Sequence, residues 1–169
     1  SRFLKEFPNV RLVTDSVTKR SALDAERTWL QIRYGRGSWP GREAVLIASE
    51  VLVPMARRGT DWGAPVIDLR GERPGWQDWA RETGQTEPAP ARLSVDSMEH
   101  TLTHAQHGCA IALGSLALAQ PLLDAGYLHR LDLPELSTQD GYWLTWPEER
   151  LQSAKQRKLV GGFHTALIM

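Results

Sequence analysis

The chain has 169 residues, of which 20 are Lys or Arg and 20 are Asp or Glu, so its formal net charge is zero at pH 7. This length suffices for one domain or two small lobes, and the balanced charge excludes a general electrostatic attraction to DNA. A single cysteine, Cys109, excludes a disulfide framework, and its apolar surroundings predict a small buried thiol. The sequence contains no apolar run of about 18 residues and no apolar signal-peptide core. We therefore expect a cytoplasmic chain that does not contact membranes.

Helices and strands alternate along most of the sequence. Phe3–Phe7 is typical of the end of a helix that Pro8 stops, and the strand, helix, strand order that follows favours parallel pairing. Strands are predicted at 10–13, 29–33, 50–54, 66–69, 92–95, 110–113 and 141–146. Helices are predicted at 22–27, 75–82, about 97–107, 116–123 and 148–169, the last interrupted by Gly161 and Gly162.

The chain passes between two halves at 55–65 and again at 128–133, where the periodic pattern breaks. This organisation predicts an α/β fold with two lobes, each a mixed, mostly parallel sheet flanked by helices. Lobe I is expected at about 1–54 and 134–169 and lobe II at about 55–133. A ligand cleft is expected between the lobes.

The segment 32–41, with the sequence IRYGRGSWPG, is a candidate binding loop. An apolar strand ends there in a stretch with three glycines, two arginines and two aromatic residues. Strand ends followed by glycine loops are frequent ligand sites in α/β sheets. The fork of an arginine such as Arg36 matches the two oxygens of a carboxylate, so an anionic ligand suits this loop. The alternative is that the aromatic residues only pack the loop down while the arginines pair with acids elsewhere on the surface.

Asp96 and Ser97 begin a predicted helix, so their oxygens and the free backbone N–H groups behind them form a candidate site for a polar or anionic group. The alternative is that one of them only caps the helix, because most helices have such a residue. On the same helix His100, His104 and His107 form one stripe, yet no fourth ligand of suitable spacing accompanies them. We therefore expect no metal ion and no other cofactor.

Enzymatic motifs are missing from the sequence. It contains no nucleophile elbow, no dinucleotide fingerprint and no phosphate loop. Scattered Ser, His and Asp residues do not define a catalytic site without geometry. A binding role is therefore favoured over an enzyme.

Several blocks in one order resemble the LysR-type transcriptional regulators, in the branch that includes the glycine-cleavage activator and the β-lactamase regulators. The segment 32–41 is similar to their IRYGRGxWPG almost letter for letter. The other blocks are 7–12, 96–97, 108–113, 124–128 and 141–147. The chain is thus identified as a member of this family, as its C-terminal effector-binding domain.

The resemblance implies a two-lobed fold of the periplasmic-binding-protein type 2, with a small-molecule effector in the cleft. It implies a homodimer, or a homotetramer for the whole regulator, and contact with DNA only through an N-terminal helix-turn-helix domain that these residues do not include. The alternative is a free-standing solute-binding protein of the same fold. Block by block, the resemblance and the motifs above assign effector contacts to Thr14, Ser16, Tyr34, Arg36, Asp96, Ser97 and Tyr142.

Overall fold

A computed structural model describes residues 2–11, 13, 29–108, 110–151 and 153–167. The predicted helix at 22–27 and the burial predicted for Cys109 fall outside the described residues. The helices are α1 (Arg2–Glu6), α2 (Trp76–Thr83), α3 (Met98–Gln106), α4 (Leu116–Asp124) and α5 (Ala154–Leu167), with a 3-10 turn at Glu148–Arg150. The strands are β1 (Gln31–Gly35), β2 (Arg42–Ala56), β3 (Ile67–Leu69), β4 (Leu93–Val95), β5 (Ala112–Ser115), β6 (His129–Arg130) and β7 (Leu136–Pro147).

The chain divides into two units. Unit 1 comprises Ser1–Ser49 and Gln139–Met169, and unit 2 comprises Glu50–Thr138. Strands β2 and β7 each run through a boundary between the units, so the division falls inside regular strands. The lobe boundaries expected from the sequence lie within β2 and just ahead of β7.

Unit 1 pairs β1 antiparallel with β7 and buries its own small core, in which Leu144, Trp146 and Val160 are at most 8% exposed. The ring of Phe3 on α1 packs edge-on against that of Phe163 on α5, with centroids 5.0 Å apart. This apolar contact attaches the first helix to the last.

Two predictions for unit 1 are wrong. Helix α5 continues through Gly161 and Gly162 without interruption. A Cβ at Gly162 would overlap the ring of Phe7, so this glycine allows close packing and does not break the helix. The strand predicted at 10–13 is missing from its described residues, where Val13 is 62% exposed and so provides no buried strand face.

Unit 2 has the larger core. Its helix α2 begins where the Gly75 N–H donates to Asp78 Oδ2 over 2.9 Å, which satisfies one of the free donors of the first turn. The indole nitrogens of Trp76 and Trp79 donate to the carbonyls of Ile67 and Pro134, both over 2.8 Å. The two ring centroids lie 5.5 Å apart, because residues three apart share one face of a helix.

The mixed α/β architecture is confirmed, but the described strand pairs are mainly antiparallel. Strand β2 pairs antiparallel with β5 and with β6, while β3 pairs with β4 in parallel. Strand β1 pairs antiparallel with β7, a late strand that returns in the opposite direction. No described helix is both long and apolar enough to span a bilayer.

Candidate functional site

Two tryptophans pack the loop that follows β1. The indole nitrogen of Trp143 on β7 donates to the carbonyl of Gly35 over 2.9 Å. Gly37 has a φ of 84°, and a Cβ there would lie 2.5–2.7 Å from atoms of the Trp143 ring, so only glycine fits. Trp39 forms an isolated bridge with Arg42 and its ring closes on Gly35. The loop is therefore held against the strand that returns beside it.

Two of the predicted site residues meet in unit 1. Tyr34 and Tyr142 are direct partners in the antiparallel pairing of β1 with β7. Their ring centroids are 5.6 Å apart and the planes are tilted by 60°. Tyr142 is 9% exposed, and the Tyr34 hydroxyl oxygen is shielded from solvent. The sheet register thus builds an aromatic pair from residues that are distant in sequence.

Three arginines near this loop have different roles. Arg42 donates to Thr145 and to the Trp29 carbonyl over 2.9–3.1 Å, and burial together with the nearby Arg33 lowers the pKa of Arg42. The Arg33 guanidinium donates to Gln31 over 2.8 Å and lies 5.7 Å from the Trp39 ring centroid. Both guanidinium groups are thus engaged by other parts of unit 1.

Arg36 differs from its neighbours. Its side chain is exposed and makes no hydrogen bond or ion pair with the described part of the chain. The loop around it is fixed by packing, so its guanidinium is displayed from an ordered backbone. Such a group is able to accept an anion without first breaking an internal ion pair.

The other candidates lie in unit 2 or outside the described residues. Ser97 caps α3, because its hydroxyl oxygen accepts the His100 N–H over 3.2 Å. Asp96 lies 3.5 Å from the His100 ring. Ser97 therefore has a capping role. Thr14 and Ser16 lie outside the described residues.

The histidine stripe on α3 was the candidate for a metal site. Among the described residues no group of three or more His, Cys, Asp or Glu side chains is arranged to hold a metal ion. The sequence reasoning did not single out Arg42, whose donors link β2 to β7. The one hint of this role in the sequence is its position directly after Gly41, the last glycine of the loop.

Comparison with known proteins identifies the chain. The LysR substrate binding domain family matches residues 1–167. The chain is 27% identical to the HTH-type transcriptional activator AmpR of Enterobacter cloacae, over 92% of this chain and 57% of that protein. It is 24% identical to the glycine cleavage system transcriptional activator of Escherichia coli K12, over 76% of this chain and 46% of that protein. The chain thus spans about half the length of these curated relatives.

The fold comparison points the same way. The AmpR effector binding domain from Citrobacter freundii has a TM-score of 0.78 to this chain at 21% identity, with 98% of this chain and 88% of that chain covered. The fold is thus that of an α/β ligand-binding domain of the periplasmic-binding-protein type 2. The chain belongs to the LysR substrate-binding domain family, the effector-binding domains of LysR-type transcriptional regulators, rather than to the free-standing solute-binding proteins. The family assignment made from the sequence blocks is confirmed.

Proposed function

We propose that this chain senses a small anionic effector on behalf of a DNA-binding regulator, and that Arg36 holds the anionic group. The observation that carries the proposal is the exposed guanidinium, without an internal partner in the described residues, on a loop that tryptophans hold in place. A pre-ordered loop loses little conformational entropy when a ligand binds. Arginine also matches carboxylate or phosphate oxygens in a two-point geometry that lysine does not reproduce.

Hydroxyl groups complete the proposed effector contacts. The Tyr34 and Tyr142 pair supplies a rigid aromatic surface beside the loop. In unit 2, Ser97 uses its oxygen as a cap acceptor, which leaves its O–H free to donate to a ligand. The neighbouring Asp96 is proposed to contact the ligand as an acceptor. Thr14 and Ser16 stay predictions from the family resemblance.

The whole regulator is proposed to act without catalysis. The relatives are named as transcriptional activators. The effector is proposed to act by binding one subunit arrangement more tightly than another. We propose a homodimer or homotetramer that reaches DNA through a helix-turn-helix domain N-terminal to these residues. The zero net charge of the chain supports a DNA contact made elsewhere.

The test is a thermal-shift screen of small carboxylates, amino acids and cell-wall fragments, followed by calorimetry on any hit. A ligand at 100 times its Kd adds about 2.7 kcal/mol, which raises the Tm of a chain of this size by about 5–10 °C. Arg36→Ala removes charged hydrogen bonds worth about 1.5–3 kcal/mol and should weaken an anionic hit at least ~10-fold.

Matched variants separate this role from general charge. Arg36→Lys keeps the charge but not the fork, and should recover only part of the affinity. Arg150→Ala makes the same charge change at an exposed position of unit 1 and should leave the affinity unchanged. Equal affinities for the parent chain and Arg36→Ala would remove Arg36 from the effector site.

A further inference from the structure

Unit 2 contains a pocket that the proposed effector site does not use. It has a volume of about 430 Å³. It is lined by Arg57, Arg58, Gln106, His107, Gly126 and Tyr127. The lining includes two arginines, a histidine and an amide but no acidic side chain. This composition is unusual for a surface whose overall charge is balanced.

No ion pair neutralises the two arginines within the described residues. The side chains of Arg57 and Arg58 are exposed, and neither forms an ion pair or hydrogen bond within the described part of the chain. They follow β2 directly, in a tight turn closed by the Thr60 N–H donating to the Arg57 carbonyl over 3.1 Å. Two adjacent guanidinium groups are thus displayed from a defined turn, with ten N–H donors between them.

The neighbouring helix ends do not explain both arginines. The pocket lies where α3 and α4 end, and carbonyl groups at helix ends attract cations. At the end of α4, however, the Gly126 and Tyr127 N–H groups already donate to carbonyls of the last turn over 3.0 and 2.9 Å, as in a Schellman cap. At the end of α3 the Gly108 N–H donates to the Ala105 carbonyl over 3.0 Å.

Only one of the two arginines is used in packing at these helix ends. The Arg57 stem passes over Gly108, where a Cβ would lie 3.3 Å from Arg57 Cδ. The Arg58 side chain is exposed. The local positive charge therefore exceeds what the closed helix ends require.

We propose that this pocket is a second ligand site, which takes a small molecule with at least two negative charges on phosphate or carboxylate oxygens. Arg57 and Arg58 bind the anionic oxygens, while Gln106 and His107 donate from the end of α3. Its volume lies within the range of small-molecule sites.

The site is separate from the proposed effector contacts. Ser97 caps one end of α3 and His107 lies at the other. Nine residues of helix separate them, a length of about 13 Å. Arg36, the proposed anion contact, belongs to unit 1. The two proposals therefore rest on different residues, and substitutions test them independently.

The test measures binding of pyrophosphate and of citrate to the chain by calorimetry, with KCl at matched ionic strength as the reference. Saturable binding of either anion is expected, and the anion that binds tells whether phosphate or carboxylate oxygens are preferred. The variant Arg57→Gln/Arg58→Gln should weaken that binding at least ~10-fold, because it removes charged hydrogen bonds.

Two controls make the result decisive. Arg70→Gln/Arg92→Gln makes the same charge change at exposed positions of unit 2 outside the pocket and should bind like the parent chain. Arg36→Ala should also bind like the parent chain, which distinguishes this site from the proposed effector contact. The proposal is overturned if neither anion binds saturably, if KCl has the same effect, or if the two double variants lose affinity equally.

Discussion

Replacing Gly37 with Ala tests how tightly the tryptophans hold the binding loop. At Gly37 the φ is 84° and a new Cβ would lie 2.5–2.7 Å from three atoms of the Trp143 ring. At Gly41, in the same loop, the φ is 68° but no atom lies within 4 Å of the Cβ position. Both substitutions place an L residue at positive φ, and only the substitution of Gly37 also displaces an indole.

The difference between the two variants follows from these contacts. Positive φ costs about 1–2 kcal/mol in either variant. At position 37, overpacking adds about 1–3 kcal/mol, and a weakened Trp143 hydrogen bond to Gly35 adds about 0.5–1.5 kcal/mol. Since 1 kcal/mol shifts the Tm of such a chain by about 2–4 °C, Gly37→Ala should melt at least about 3 °C below Gly41→Ala.

Thermal unfolding followed by circular dichroism measures both variants, and tryptophan fluorescence reports whether the indole has moved. The emission of Gly37→Ala should change and that of Gly41→Ala should not. Equal Tm values with unchanged emission would refute the reasoning, because the loop would then accommodate a side chain without disturbing Trp143.

Two further predictions concern unit 2. Arg73→Met should lower the free energy of unfolding in urea by about 3–5 kcal/mol, because it removes an ion-pair partner of the fully buried Glu50 carboxylate. Adding Glu50→Gln should restore part of this loss, whereas strictly additive losses would contradict the pairing. The hydrogen bond from the Gly75 N–H, and to a lesser degree Arg81, lower the pKa of Asp78 below its ordinary 3.8. The ionised carboxylate therefore stabilises the fold fully above pH 3.8, and this stabilisation is lost as the pH falls through the lowered pKa. Asp78→Asn should therefore lower the free energy of unfolding by about 0.3–1 kcal/mol at pH 7 and by almost nothing once the pH is below the lowered pKa. A pH-independent loss would exclude the electrostatic explanation.

The elements that the sequence predicted well depend on local chemistry. Ser97 was expected as a possible cap and caps α3 through its hydroxyl. Trp76 and Trp79 lie in the predicted helix at 75–82, where their three-residue spacing places both rings on one face. Helix α4 continues past Pro121, as expected. In each case residues within one helical turn determine the result.

The features that the sequence failed to predict depend on partners distant along the chain. Strands β2 and β7 extend well beyond the predicted 50–54 and 141–146, because cross-strand pairing continues where the apolar pattern is weak. The glycines of α5 do not end the helix, and Gly162 is instead a packing position for Phe7 from the other end of the chain. The partner of β1 was also missed, since strand order along the chain does not reveal that β1 lies beside β7.

The candidate loop combines both kinds of information. Its glycines and arginines are visible in the sequence, but what holds them is Trp143, whose partner Gly35 is 108 residues away. Tyr142 faces Tyr34 for the same reason, because the register that places one pair fixes its neighbour. A slip of one residue in this pairing would at once move the indole away from Gly37 and separate the two tyrosines. The ordering of Arg36 and the shape of the aromatic surface beside it are therefore one property of the β1 and β7 pair, so substitutions that disturb the register should impair anion affinity even where they leave Arg36 itself intact.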